Sequence, residues 1–347
     1  MITKRWSVDK FVDGDKTYPQ IEEAAERLKN NDVVAFPTET VYGLGGNAEN
    51  DEAVEKIFAA KGRPSDNPLI IHIADVEKLS NFVKEVPIKA KQLIDKFWPG
   101  PLTLIFHLKE GKISPKATAG LSTIAVRMPA HPVALEVIKQ AGLPIAAPSA
   151  NRSGRPSPTT ADHVWEDLNG SISGLLDGGP TGVGVESTVL DCTLPIPTIL
   201  RPGGITKEQL EAVIGEVKVD PALVDKEQAP RSPGMKYRHY APDAPLLLVN
   251  GTREFLQSLV NEKRAEGMSV GVLTTEENEA FYQCDYLYAC GKRTDLSTVA
   301  SSLYDALRFF NRTEAKIIYG EMFPNDGVGQ AIMNRLMKAA GHRVIKE

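Results

Sequence analysis

The chain has 347 residues, 42% of them hydrophobic and 24% charged, with a formal net charge of -5. That length allows two ordinary domains of soluble composition, and the acidic balance excludes a global basic field for nucleic acid. Cys192, Cys284 and Cys290 form no CxxC pair and are too few for a disulfide framework, so a reducing cytoplasm is expected. The opening MITKRWSVDKF lacks the apolar core of a signal peptide. No apolar run approaches the roughly 20 residues of a membrane helix, so no membrane partner is expected.

The first 215 or so residues alternate between helical and strand-like patterns. Residues 19–30 begin with Pro and repeat apolar residues at helical spacing. Residues 52–61, 75–84, 88–97 and 131–141 are also predicted helices. Strands are predicted at 33–36, 69–73, 102–108, 123–128 and 143–147, then near 174–177, 187–191 and 197–200. This is an α/β pattern, a twisted sheet with helices packed on it. Between about 215 and 244 the pattern fails in a Pro- and Gly-containing, basic-aromatic stretch, DKEQAPRSPGMKYRHYAP, that reads as a linker. From 245 a second strand–helix alternation starts with PLLLV and closes with the helical GVGQAIMNRLMKAAG, which suggests a small Rossmann-like parallel-sheet domain.

Four polar clusters follow or interrupt predicted strands of the first domain. In FPTETVYGLG, 36–45, Thr38 and Thr40 offer hydroxyls and Glu39 a carboxylate; a hydrogen-bonded turn is the plain alternative. In AAKGRPSDNPLIIHI, 59–73, Lys61 and Arg63 end a helix ahead of Ser65 and Asn67. That set suits a polyphosphate, and equally suits a helix C-terminus with solvated charges. His72 lies inside a strand, where a satisfied, half-buried ring is the simpler reading. Arg127 interrupts the apolar strand 123–128 and is costly to bury without an anion, either a ligand or a structural Asp or Glu. SANRSG, 149–154, follows strand 143–147, at a position where α/β sheets bind ligands. GVGVES, 182–187, is a weak phosphate-loop signal, and Arg201 follows a strand directly. No GxxxxGK[ST], HExxH, Cys/His cluster or GxSxG is present, which disfavours a P-loop NTPase, a zinc enzyme and a serine hydrolase. GVGQAI, 327–332, departs from a dinucleotide fingerprint at its last position.

PTETVYGLG, KGRPSDNPL, AVRMP, SANRSGRPSPT, GVESTVLD and RPGG, in that order, resemble the YrdC-like domain of threonylcarbamoyl-AMP synthases. The resemblance covers residues 14–210. The basic-aromatic stretch and the closing α/β unit look like the long, two-domain form, with a linker or lid at 211–244 and a C-terminal domain at 245–347. The resemblance implies a twisted open mixed sheet flanked by helices. It implies a nucleotidyltransferase that makes threonylcarbamoyl-AMP and pyrophosphate from L-threonine, bicarbonate and ATP. A separate threonylcarbamoyl transferase complex would then modify tRNA beside the anticodon, leaving tRNA an indirect or weak partner.

Motif by motif, the resemblance implies that Thr38, His72, Arg127, Ala147 and Ser187 hold threonine, with Arg127 facing its carboxylate. Lys61 and Ser65, with Arg63 nearby, would bind the ATP phosphates, and Lys61 and Arg63 would carry the catalysis. Thr123, Ser149, Ser157 and Arg201 would line the nucleotide. Tyr237 or Tyr240 would fold over it, and Mg2+ would ride on the phosphates. Glu39 and Asn151 are left undecided. An RNA-binding module of the same fold is the competing expectation. The larger carbamoyl-transferring maturation enzymes do not fit, because their CxxC pairs and acylphosphatase segment have no counterpart here.

Overall fold

The computed structural model describes residues 1–8, 18–223 and 240–347. They fall into two compact units. The first unit runs through β1 (Lys4–Ser7), α1 (Pro19–Lys29), β2 (Val34–Phe36), β3 (Gly43–Asn47), α2 (Asp51–Lys61), β4 (Ile70–His72), α3 (Ile88–Phe97) and β5 (Leu102–His107). It continues with β6 (Thr123–Arg127), α4 (Pro132–Ala141), β7 (Ile145–Ala146), α5 (Ala161–Leu168), β8 (Gly174–Asp177), β9 (Thr188–Asp191), β10 (Thr198–Arg201), α6 (Lys207–Ile214) and β11 (Lys218–Val219). The strands form one 11-stranded mixed sheet in the order β1-β8-β2-β3-β7-β4-β6-β5-β9-β10-β11.

Local chemistry sets the helix ends. Asn50 caps α2 by accepting from the Ala53 amide, and Gly62 stops it in a left-handed conformation at φ 58°. Thr206 and Gln209 make a reciprocal capping box on α6. In the centre of the sheet, alternate side chains face opposite sides. Ile71, Leu104, Val126, Ala146 and Leu190 enter the main core. Ile70, Ile105, Ala125, Val189 and Leu200 form a small apolar cluster of their own. By the same alternation His72, Arg127 and Thr103 share the face of that small cluster.

The second unit gathers residues 240–347 together with Gly154–Ser157 and Val183–Val185. Its elements are β12 (Leu246–Asn250), α7 (Arg253–Ala265), β13 (Val270–Thr274), β14 (Tyr286–Ala289), α8 (Leu296–Phe310), β15 (Ile317–Glu321), α9 (Gly329–Ala339) and β16 (Val344–Lys346). The strands pair in the order β14-β13-β15-β12-β16, and each pairing is parallel. The inserted segment Gly154–Ser157 is held by hydrogen bonds from Arg308 Nη2 to the Pro156 carbonyl (2.6 Å) and from the Ala241 amide to the Gly154 carbonyl (3.1 Å).

The expected α/β architecture is present, with differences in detail. The helix predicted at 75–84 is a 3-10 turn over Val76–Asn81, capped by Asp75. Of the strand predicted at 143–147 only Ile145–Ala146 pairs. Gly43–Asn47, overlapping the 36–45 cluster for which a turn is the plain alternative, is strand β3, pairing with β2 and β7. Composition misleads there because Gly45 is required by packing. A Cβ on it would lie 2.5 Å from Phe36 Cε1 and 2.9 Å from Ile145 Cγ2. Helix α6 and strand β11, which pairs with β10, continue the large sheet into the stretch predicted to be linker. Most of the basic-aromatic segment, residues 224–239, lies outside the described residues.

Gly45→Val is expected to destabilise the protein by about 1–3 kcal/mol through overpacking against Phe36 and Ile145. Thermal and urea denaturation against the parent protein measure it. An unchanged midpoint would mean that the contact relaxes freely.

Candidate amino-acid and nucleotide site

Four short strands bring the polar side chains of the first unit together. β4 and β6 run parallel with His72 opposite Arg127. β5 runs antiparallel to β6, and β9 runs parallel to β5. The edge therefore combines the ends of β4 and β6 with the starts of β5 and β9. The structure seats His72 and Arg127 within strands, as the sequence places them, and adds Thr103 on the same face, which period-two alternation makes polar.

Arg127 is 4% exposed. Its Nε donates to the Gly100 carbonyl at 3.2 Å and its Nη1 to Thr40 Oγ1 at 2.9 Å. Nη2 approaches Glu39 Oε1 to 2.6 Å, so the structural carboxylate partner left open by the sequence is Glu39. Thr38 donates its hydroxyl to the Val41 carbonyl at 2.6 Å and lies 2.8 Å from Thr40 Oγ1. Thr40 must therefore donate to Thr38 while accepting from Arg127. The Thr38 hydroxyl, expected to help hold threonine, is engaged in the turn that presents Glu39 and Thr40.

His72 is buried, and its Nδ1 sits 3.2 Å from the Ile70 carbonyl. A carbonyl only accepts, so Nδ1 carries the proton and Nε2 is left as an acceptor. Burial, reinforced by the Arg127 charge, pushes its pKa down to about 3. The ring is thus a neutral hydrogen-bonding group at physiological pH. Ala147 lies beside this row, its amide donating to the Ile70 carbonyl at 2.9 Å.

Ser187 and Arg201, expected on the threonine and nucleotide sides respectively, touch each other. Arg201 Nη2 donates to the Ser187 carbonyl and hydroxyl at 3.0 and 3.1 Å, and Thr103 Oγ1 is 2.7 Å from Ser187 Oγ. Thr103 escapes notice in the sequence because it reads as an ordinary strand residue.

Lys61 is not the mobile surface cation that its loop composition suggests. It is 4% exposed at the end of α2, and its Nζ donates to the Asn151 carbonyl at 2.7 Å and to the Ser149 carbonyl. Ser149 Oγ in turn donates to Asn151 Oδ1 at 2.5 Å. The undecided Asn151 thus joins the loop that Lys61 pins. Arg63 and the exposed Ser65 line a different feature, an open cavity of about 710 Å³ bordered also by Phe58, Pro64 and Lys116. Arg63 Nη2 holds the Asn67 carbonyl at 3.2 Å. Thr123 sits at the other end of β6, opposite His107, roughly 13 Å along the strand from Arg127.

Ser157 and Tyr240 belong to the second unit. Tyr240 is 5% exposed, its ring packed 5.3 Å from that of Tyr304 and beneath the Arg335 guanidinium. Tyr240 is therefore a buried anchor and not a free flap. Tyr237 lies outside the described residues. No cluster of three or more His, Cys, Asp or Glu among the described residues is placed to hold a metal. No helix among them is long and apolar enough to cross a membrane. The Cys192 and Cys290 thiols are each pushed up to about 12 by burial, which makes them inert.

Fold and site define a two-domain α/β protein with a buried guanidinium and a pinned lysine on one unit, suited to a small anionic substrate. Residues 26–203 match the Sua5/YciO/YrdC family, described as telomere recombination. Residues 205–341 match the threonylcarbamoyl-AMP synthase C-terminal domain. The threonylcarbamoyl-AMP synthase of Bacillus subtilis is 59% identical over 346 residues, covering 100% of both chains. That of Pyrococcus abyssi is 48% identical over 333 residues, 94% of this chain and 96% of the other. The solved structure of P. abyssi Sua5 complexed with L-threonine superposes with a TM-score of 0.90 at 45% identity, covering 100% and 99% of the two chains. A doubly substituted P. abyssi Sua5 gives 0.93 at 45% identity, covering 100% and 98%. The chain belongs to the threonylcarbamoyl-AMP synthase family, in its two-domain form.

The depressed His72 pKa carries a stability consequence. The unfolded chain takes up this proton below about pH 6.5, whereas the folded protein refuses it until about pH 3. Stability from this group is present above pH 6.5 and is lost as pH falls, by roughly 1.4 kcal/mol per unit at most. The stability gap between the protein and His72→Gln is therefore expected to narrow between pH 6.5 and 4.5 in urea titrations. A constant gap would show that His72 charges in the folded state.

Proposed function

We propose that the first unit joins L-threonine, bicarbonate and ATP into threonylcarbamoyl-AMP and pyrophosphate. The observation that carries this reading is the Arg127 guanidinium. It is a buried cation, fixed by a backbone carbonyl and a hydroxyl, on the sheet face opposite the main core. A desolvated, pre-oriented guanidinium suits a small carboxylate. The acceptor Nε2 of neutral His72 and the Thr38, Ala147 and Ser187 positions complete the threonine side of the proposal. The P. abyssi relative solved in complex with L-threonine accords with it.

On the nucleotide side, Lys61, Ser149 and Arg201 are the proposed anchors, with Arg63, Ser65 and Thr123 as further contacts. The Lys61 charge and the 149–151 loop it holds favour phosphate oxygens. In the proposed sequence the threonine amine attacks the carbon of bicarbonate and the N–H proton leaves with hydroxide as water, forming N-carboxythreonine. A carbamate oxygen then attacks the α-phosphorus of ATP, and the bond to pyrophosphate breaks. The protein's part is to align the carbamate with the phosphorus and to stabilise developing charge. Mg2+, where it accompanies ATP, is proposed to be held by the phosphates and water.

An activated carbamoyl-adenylate hydrolyses in water, so a transferase must consume it promptly. The proposed acceptor is the adenosine beside the anticodon of tRNA, reached through a separate transferase complex, with tRNA itself at most a weak partner of this chain. Three cysteines without a disulfide support a cytoplasmic site of action.

Pyrophosphate release is expected only when threonine, bicarbonate and ATP are all present. Lys61→Ala is expected to abolish it, with circular dichroism and thermal denaturation separating lost chemistry from a loosened 149–151 loop. Tight tRNA binding in a gel shift, without ATP-dependent pyrophosphate release, would favour the RNA-binding reading instead.

A further inference from the structure

Glu39 has a peculiar environment. Its side chain is 15% exposed, and both carboxylate oxygens are shut off from solvent. Oε1 lies 2.6 Å from Arg127 Nη2, yet neither oxygen, nor that nitrogen, gains an aligned hydrogen bond among the described residues. A buried carboxylate is normally given two or more donors, because the desolvation it suffers is otherwise uncompensated. The turn that carries Glu39 is rigid for independent reasons, being tied by the Thr38 hydroxyl to the Val41 carbonyl and by Thr40 to Arg127. The strain of an under-bonded carboxylate is thus held in place by its surroundings.

The partner is equally well prepared to do without Glu39. Arg127 keeps its Nε bond to Gly100 and its Nη1 bond to Thr40 whatever occupies Nη2. Another carboxylate can take Nη2 without releasing the guanidinium. The neighbouring titratable rings supply no rival charge. His72 is neutral, with its Nδ1 proton on Ile70, and the half-buried His131 accepts from the Val133 amide. Arg127 is the one cation in ion-pair contact with Glu39 among the described residues.

A cation and an anion within 2.6 Å, both under-bonded at the point where they face each other, match the two ends of a free α-amino acid. We propose that Glu39 is the subsite for the substrate's α-ammonium group. The amino acid's carboxylate replaces Glu39 at Arg127 Nη2, and its ammonium supplies the donors that the Glu39 oxygens lack. The exchange conserves charge: one buried ion pair becomes two, with no uncompensated ion at any point. It also confers selectivity, since a hydroxy acid or an N-acylated amino acid leaves the Glu39 carboxylate buried without donors. This assignment rests on the proposed threonine chemistry of the same site.

Isothermal titration of the full chain tests it with two probes, L-threonine and 2,3-dihydroxybutanoate, which carries a hydroxyl in place of the ammonium. The parent protein is expected to prefer threonine by about 10- to 100-fold, the size of one charge-assisted hydrogen-bonded contact. Glu39→Gln is expected to lose most of that preference, chiefly by weakening threonine, and its KM for ATP is expected to stay within about threefold. Glu39→Asp, which keeps the charge, is expected to retain a part of the preference. Two results overturn the assignment. One is unchanged threonine affinity in Glu39→Gln. The other is an equal loss for both probes, which would make Glu39 only a prop for Arg127. If the parent protein binds no threonine at all, the threonine reading fails and the Glu39 assignment falls with it, a result distinct from both.

Discussion

The polar half of the first unit depends on one buried guanidinium. Arg127 ends a strand whose other residues are mostly apolar, and burying its charge is tolerable only where partners are fixed in advance. The Gly100 carbonyl, the Thr40 hydroxyl and the Glu39 carboxylate meet it from two loops far away in sequence. Each constraint propagates. Thr40 is held by Thr38, and the 38–41 turn fixes where β3 begins. The same positive charge helps keep His72 neutral across the ladder. Removing the guanidinium would therefore disturb the turn and leave Glu39 a buried charge with no counter-ion among the described residues.

Lys61 does similar work at shorter range. An ammonium on two backbone carbonyls, those of Ser149 and Asn151, converts a hydroxyl- and amide-rich loop into a defined surface. The loop also returns a bond, from the Ser153 amide to the Lys61 carbonyl. A lysine so held contributes a positive potential at a fixed point, which suits stabilising charge as it develops better than a flexible side chain does.

Much of this is legible in the sequence. Six ordered motifs identify the family, and strand–helix alternation identifies two α/β units. What escapes has physical reasons. β3 reads as a turn because glycine is a poor strand former, while its necessity comes from Phe36 and Ile145 pressing on Gly45. Glu39 stays undecided on sequence because its partner is fixed by a ladder register that composition does not reveal. Lys61 and Arg63 look like one phosphate pair, yet they diverge: the first is buried against loop carbonyls, the second borders an open cavity. The Gly62 turn between them sends the chain in a new direction. Tyr240 reads as a flap because linkers rich in aromatics and basic residues look exposed, whereas Tyr304 and Arg335 bury its ring.

The two units also show opposite solutions to burying a carboxylate. In the second, Glu321 closes β15 and accepts from Thr274 Oγ1, Asn278 Nδ2, Tyr282 Oη and Arg293 Nη2 at 2.6 to 2.9 Å. That carboxylate is saturated with donors, so exchanging any partner sacrifices a good bond. It fixes the wall of a crevice of about 260 Å³ and is built to stay. In the first unit the Glu39 side chain has one ion pair and no aligned hydrogen bond among the described residues, and exchange sacrifices little. Binding energy is most useful where the empty site is least satisfied, because a ligand then supplies bonds instead of trading them. By that criterion the surroundings of Arg127 suit the proposed substrate site better than the better-bonded Glu321 network does.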